Sequence, residues 1–525
     1  MAVTLNITAK SSVSTLVDIY DSEAIDPEYQ VKSHAISCAI QQIGMGRYQW
    51  WLFVVAGFGW FSDSVWPLLS GLILTPVVAE FGFKPPYLSL ALNTGLFVGA
   101  VVWGIGCDVW GRRWSFNATL FLTGVFGLAS GGSGNFITLA SLFAVCGFGV
   151  GGNLPVDSAV FLDLVPASHQ YLLTVMSGWW SGGQLLGSLV AWPLIVNFSC
   201  HTNAANAISC ARAENMGWRY LMFTLGGLTL LMWFVRFFVF RFYESPRYLI
   251  GRGRDEEAVE VIHRIAKFNG KADICTLTVG DLQKAVQEQS TNASPSFSIR
   301  EVSGGSYPSP GAEVTSTERK KGFLSSSSHL SGSHIKALFA TRRMAWSTSL
   351  LIVIWGTIGL ASTLYNSFLS YILSKRGEVY GDGSLYTTYR NQVILSVLGV
   401  PGCLLAGWAV QLPHFALTGV FLFGSTTARS SDGLLGWNCG YAFCSNIMYG
   451  VLYAISPEIF PAKDRGTGNG LTATATRLFA ILSPIIALYA DLATAVPVYV
   501  SGGLILFAGT LALALPFEPC GKASL

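Results

Sequence analysis

Stretches of about 18 or more apolar residues, nearly free of charge, recur along this chain, and no other feature constrains its fold so tightly. A helix rising ~1.5 Å per residue needs about 20 residues to cross a hydrocarbon core of ~30 Å, where lipid offers no partner to an unpaired backbone amide. Twelve such stretches can be read. Six fall near 50–72, 87–107, 114–131, 137–162, 171–195 and 217–240, and six near 345–373, 390–410, 415–428, 434–456, 469–490 and 494–516. With 51% hydrophobic and only 12% charged residues, the chain has no room for a charged catalytic domain, so a soluble enzyme is excluded. The expected fold is an all-α membrane protein of twelve transmembrane helices in two six-helix bundles.

Basic residues set the orientation. Between Arg241 and Arg343 lie 15 of the 32 lysines and arginines, which places that stretch in the cytosol by the positive-inside rule. Residues 1–46 are polar and lack a basic start followed by an apolar core, so no cleavable signal peptide is expected and the N-terminus is expected in the cytosol. The predicted organisation is a cytosolic tail (1–47), a first bundle (48–241), a cytosolic central loop (242–341), a second bundle (342–516) and a short tail (517–525). Within the loop, Leu249, Ala258, Val261, Ile262, Ile265 and Ala266 form an amphipathic pattern that predicts one or two short helices under the bundle. The Ser-, Gly- and Pro-rich stretch after them predicts disorder. A net charge of +3 is small and calls for no nucleic-acid partner.

Three motifs then stand at the ends of spans. Gly104, Asp108, Gly111, Arg112 and Arg113 follow the second span as GxxxDxxGRR; Glu244-Ser245-Pro246-Arg247 follows the sixth; Glu458, Pro461, Arg465 and Gly466 follow the tenth. Together they resemble the signature segments of the major facilitator superfamily, in its sugar-porter and synaptic-vesicle-protein-like branch, with a texture similar to fungal members. The resemblance implies alternating access: two bundles rocking about a central site. It also implies a gating role for these motifs, latching the halves together on the inner side when the cavity opens outward. Asp163-Leu-Val-Pro166 at the end of the fourth span echoes Glu458-Ile-Phe-Pro461 at the end of the tenth, as in transporters built from repeats.

Ionisable residues inside spans are costly and mark function or pairing. Asp63 stands near the middle of the first span, and the resemblance implies that it takes up the coupling proton. Asp157, four residues after Asn153 on one face of the fourth span, is a second candidate. Sugar-proton symporters usually carry an arginine in that helix, and none is present here. Arg477, in the eleventh span, either holds a substrate carboxylate, snorkels, or pairs across the halves with Asp63 or Asp157. Arg236 in the sixth span is expected to snorkel. Trp60, Asn153, Gln184, Tyr365, Asn366, Asn446 and Tyr449 are the remaining candidates for the substrate cavity, offering amides and aromatic faces to a sugar ring or a flat metabolite. No histidine falls within a span, so any proton relay is expected to run on carboxylates, and neither metal nor cofactor is expected. Cys200 and Cys210 share the outward connection 196–216, where a disulfide is one option and free thiols the other.

The ninth span is the exception to this pattern. Phe415 to Ala428 reaches about 21 Å, short of the ~30 Å hydrocarbon core. Relatives normally carry a second charged loop before it, and this chain does not. The expected function is secondary active transport of a small organic solute, sugar-like or an organic ion, with protons as the coupling partner. The expected setting is a monomer in the plasma membrane or an endomembrane. A proton-driven exporter of a secondary metabolite is the near alternative, and a non-transporting sensor the alternative of another class.

Overall fold

The structure is a computed structural model that describes residues 27–200, 211–273, 276–292, 338–380, 384–405, 414–460, 465–490 and 494–515. The first half comprises α1 (Pro27–Ile43), α2 (Arg47–Leu72), α3 (Leu74–Phe81), α4 (Pro86–Trp110), α5 (Arg112–Ser130), α6 (Phe136–Leu164), α7 (Ser177–Phe198) and α8 (Gly217–Phe234). Next come α9 (Pro246–Gly251), α10 (Asp255–Phe268) and α11 (Val279–Asn292). The second half contains α12 (Arg342–Asn366), α13 (Leu369–Tyr380), α14 (Leu385–Leu405), α15 (His414–Gly424), α16 (Ser431–Ile459), α17 (Arg465–Tyr489) and α18 (Val496–Leu513). The twelve spanning helices are α2, α4 to α8, α12 and α14 to α18. Seven are long and apolar enough to cross a bilayer by composition alone. Their outer faces leave large apolar side chains uncovered, Ile105, Leu231 and Phe238 among them, as a lipid-facing belt requires.

Small residues hold the helices together, because lipid is as apolar as a leucine side chain and provides no hydrophobic drive between spans. Gly95 and Gly99 of α4 lie against the backbone of Ala144 and Phe148 in α6, while Gly147 and Gly151 of α6 lie against the backbone of Leu92 and Leu96 in α4. Two four-residue glycine spacings thus face one another. A Cβ at any of these positions would strike main chain, which cannot step aside.

The halves meet along α4 with α17 and α7 with α14. On the side away from the central loop they are closed against each other. There the buried Tyr389 hydroxyl donates to the Leu72 carbonyl, Gly71 packs on the Ser367 carbonyl, and Phe368 is fully buried. Ser188 and Ser396 hydroxyls bond across the same interface at 2.8 Å.

On the loop side, α9 and α10 form the short helices expected from the amphipathic pattern, with Leu249, Ala258, Val261, Ile262, Ile265 and Ala266 all buried. They are joined by α11 and by α1, an element to which the sequence reading gave no structure. α1 buries Ile36, Ala39, Ile40 and Ile43, spaced at three and four residues, against this layer. Lys32 Nζ reaches Asp255 Oδ2 at 2.6 Å, Lys271 Nζ donates to the Ile43 carbonyl at 2.5 Å, and Arg247 Nη2 donates to Ser37 Oγ at 3.0 Å. The ninth span is short, as expected: α15 and a following 3₁₀ turn give an apolar stretch of only Phe415–Thr427.

Candidate functional site

A cavity of about 210 Å³ lies between the halves, lined from α2, α4, α6 and α7 on one side and α12, α14, α16 and α17 on the other. The charged residues on its wall are Asp63 and Arg477, and they pair with one another: Arg477 Nη2 donates to Asp63 Oδ1. The bond joins α2 of one half to α17 of the other, so rocking of the halves must stretch or break it. Asp63 is 2% exposed at its side chain and Arg477 17%, so the carboxylate is the more deeply buried partner. α17 is pinned at this point because Thr476, beside Arg477, packs on Gly359 of α12 and donates to the Trp355 carbonyl at 3.4 Å.

Aromatic rings surround the pair. Trp60 and Tyr453 centroids are 5.3 Å apart, Trp355 and Tyr453 4.9 Å, and Trp180 and Tyr449 5.3 Å, all in tilted or edge-on contact. The Trp180 indole lies beside Asp63. Amides complete the wall, with Gln184, Asn366, Gln392 and Asn446 facing the space. Asn446 also accepts from Ser181 at 3.3 Å, tying α16 to α7.

Of the sequence candidates, Asp63, Trp60, Gln184, Asn366, Asn446, Tyr449 and Arg477 come together on this wall. Two do not. Tyr365 is buried between α12 and α16, where its hydroxyl donates to Asn438 Oδ1, and it does not line the cavity. Asn153 and Asp157 share one face of α6, as their spacing requires, but that face turns into the first bundle while Gly151, Leu154, Pro155 and Ser158 line the cavity. There Asp157 Oδ1 takes Nη2 of Arg236 at 2.6 Å, and Arg236 Nη1 donates to the Phe116 carbonyl at 2.8 Å, its guanidinium 3.3 Å from the centroid of that ring. Arg236 therefore does not snorkel. Its side chain is fully buried, and from the π-helical turn Val235–Val239 that follows α8 it supplies the cation that α6 lacks. The other oxygen, Oδ2, presses on Gly59 of α2, where a Cβ would collide with it.

The motif residues form a separate cluster at the loop side of the first half. Gly111, at φ 102°, turns the chain between α4 and α5. The Arg112 and Arg113 amides donate to Glu244 Oε1 at 2.9 and 3.2 Å, and Arg112 Nη1 pairs with Asp163 Oδ2. Ser245 Oγ donates to that same oxygen, and Arg247 Nη1 lies 3.7 Å from Asp163 Oδ1. Every described contact of this cluster stays within the first half and its helical layer; no latch to the second half occurs among the described residues. Gly104 stands one turn before the carboxylate of the motif. The side chains of Asp108, Glu458 and Arg465, and residue Cys210, lie outside the described part. Cys200 is disulfide-bonded.

Sequence reasoning did not single out Trp180, Trp355, Gln392 or Tyr453. Tyr449 and Tyr453 stand four apart on α16, a spacing that was available as a signal; the others carry none that distinguishes cavity from packing.

Two bundles with a cavity between them, lined by aromatic rings and amides around a cross-half ion pair, define a transporter of small solutes rather than an enzyme. Comparison with known proteins makes the family plain. A relative in Ceriporiopsis subvermispora (strain B), described as "MFS siderochrome iron transporter 1", is 62% identical over 97% of this chain and 94% of its own. In Emericella nidulans, "Major facilitator-type transporter hxnZ" is 38% identical over 96% of this chain and 90% of its own. The family profile described as "Sugar (and other) transporter" matches residues 87–303. The solved structure of the xylose transporter XylE from E. coli, in a partially occluded inward open conformation, matches with a TM-score of 0.60 at 16% identity, covering 91% of this chain and 99% of that one. The chain belongs to the major facilitator superfamily and is a multi-pass membrane transporter.

Proposed function

We propose that this protein is a proton-coupled secondary transporter of a small organic solute, working by alternating access. The observation that carries the reading is the Asp63–Arg477 bond, which crosses the moving interface inside the cavity. In the proposed cycle, the rocking second half draws Arg477 away, and a carboxylate left without its cation in a low-dielectric site takes up a proton. Asp157 keeps its cation within one half and is the second candidate proton site. The Arg112–Asp163–Glu244 cluster is proposed to latch the halves on the loop side, taken as cytosolic, when the far side opens.

The name of the 62% identical relative brings an iron chelate into consideration as the solute. A cavity of about 210 Å³ is smaller than the ~300–1,000 Å³ typical of pockets for drug-sized ligands, which favours a smaller solute. The proposed location is the plasma membrane. A pH jump across proteoliposomes, with candidate solutes inside or outside, tests the reading: the sign of the coupled proton movement separates importer from exporter, and no coupled movement with any solute would point to a sensor.

A further inference from the structure

We infer that the solute is a flat organic monoanion whose carboxylate takes Arg477 in place of Asp63 while Asp63 takes the proton. This inference deepens the transport reading and rests on it. It starts from the charge on the wall, where Asp63 and Arg477 stand alone and cancel. An organic cation would meet no second carboxylate there and would be repelled by Arg477. A neutral solute could bind beside the pair and leave it intact, so its binding would give no bias to the proton step; a ligand shifts an equilibrium only by what it binds differently in the two states. An anion competes with Asp63 for the same cation, and this competition links solute to proton.

Geometry favours the exchange. A guanidinium carries five N–H donors in a planar fork suited to a carboxylate. Arg477 gives one of them to Asp63, the rest have no protein partner among the described residues, and its side chain is the more exposed of the two. A second donor waits nearby. Trp60 lines the cavity one turn from Asp63 on α2, and its buried indole N–H has no hydrogen-bond partner among the described residues. The rings of Trp60, Trp355, Tyr449 and Tyr453 offer faces and edges to a planar body.

The charges balance. Before binding, the carboxylate of Asp63 and the guanidinium of Arg477 sum to zero. Afterwards a proton from the water on the open side has formed an O–H bond on Asp63, the Arg477 guanidinium is unchanged, and the bound anion restores the sum to zero. The other groups near Asp63 are Trp180 on α7, Tyr453 on α16 and Asp157 on α6, while Tyr449 on α16 lies near Arg477. Asp157 is already matched by Arg236 and adds no net charge.

The test uses the full-length protein, purified in detergent, with tryptophan fluorescence as the readout, since Trp60, Trp180 and Trp355 line the cavity. Benzoate, benzamide, benzylammonium and D-glucose are titrated at pH 5.5 and 7.5. Benzoate is expected to bind saturably, more tightly at pH 5.5, and at least about tenfold more tightly than benzamide, the low end for a hydrogen bond to a charged group. Arg477→Gln is expected to lose at least about tenfold of that affinity. Asp63→Asn, which removes the competitor, is expected to bind benzoate at least as tightly as the parent and without pH dependence. Because it gains rather than loses, this variant guards against mistaking a misfolded protein for a loss of site. Equal or tighter binding of benzamide, benzylammonium or D-glucose, no saturable benzoate signal, or an Asp63→Asn variant that keeps the pH dependence would each overturn the inference. Benzoate bound in this way but never carried would leave it standing and remove the transport reading; pH-driven D-glucose uptake without benzoate binding would do the reverse.

Discussion

A fully buried arginine must find an anion, and Arg236 finds Asp157 on a neighbouring helix. Removing one member of a buried pair leaves an uncompensated charge, which costs about 3–5 kcal/mol, whereas replacing both with apolar residues is often close to neutral. Arg236→Met alone is therefore expected to lower thermal stability sharply, and Arg236→Met with Asp157→Leu to recover most of the loss, read as the melting temperature of the detergent-solubilised protein. Gly59→Ala drives a methyl into Asp157 Oδ2, and overpacking of this kind costs about 1–3 kcal/mol. The same melting assay checks it. At this scale the sequence was legible in part. Asp63, Asp157 and Arg477 could be found because charges within spans are few and expensive. The partner of Asp157 could not, because spacing along one helix does not reveal which neighbour faces it. Arg236 lies in a π-helical turn, Val235–Val239, whose register departs from that of the α-helix before it. Tyr365 and Asn153 went to packing because amides and phenols serve cavities and helix contacts alike.

Among the elements, the twelve spans were the most legible, since about 20 apolar residues in a row leave a membrane helix as the economical reading. The structure follows them, including the short ninth. α1 was missed although Ile36, Ala39, Ile40 and Ile43 carry a helical period and Asp26-Pro27-Glu28 and Gly44 mark its ends, because a short amphipathic helix in a polar tail reveals no partner when the layer it packs on lies over 200 residues away. Its attachment makes a direct expectation. Asp255→Ala removes the carboxylate that holds Lys32 and leaves only Glu28 beside it, so amides in 27–43 are expected to exchange hydrogen faster while those of α2 do not change. Equal protection in both proteins would show that the Lys32–Asp255 pair does not hold α1 in place. For α4 and α6, Gly99→Val forces the backbones apart, and loss of a monodisperse elution peak is the expected sign of a broken first bundle.

The whole molecule is caught with the far side closed, by the Tyr389–Leu72 bond and the packing of Gly71 on Ser367, while the motif cluster holds no described contact to the second half. A closed far side is one of the two end states of the alternating access proposed above. A hydrogen bond contributes about 0.5–1.5 kcal/mol net, so Tyr389→Phe is expected to raise the far-side-open population by up to about tenfold. Spin-label distances across the far side would show a longer component in that variant, and an unchanged distribution would mean the bond does not bias the equilibrium. The family was legible from three motifs at span ends; the pairing of Asp63 with Arg477 was one of several options for that arginine, and the conformation was not legible, since it depends on how two halves sit against each other.

In the proposed mechanism Asp63 couples protons to solute through its bond with Arg477. This coupling is tested most directly by counterflow and pH-gradient uptake in proteoliposomes holding the parent or Asp63→Asn, using a solute that the parent carries. Asp63→Asn is expected to lose gradient-driven accumulation by at least about tenfold while retaining counterflow exchange, because the bundles can still rock once the carboxylate is neutral. Undiminished accumulation in Asp63→Asn would contradict the account.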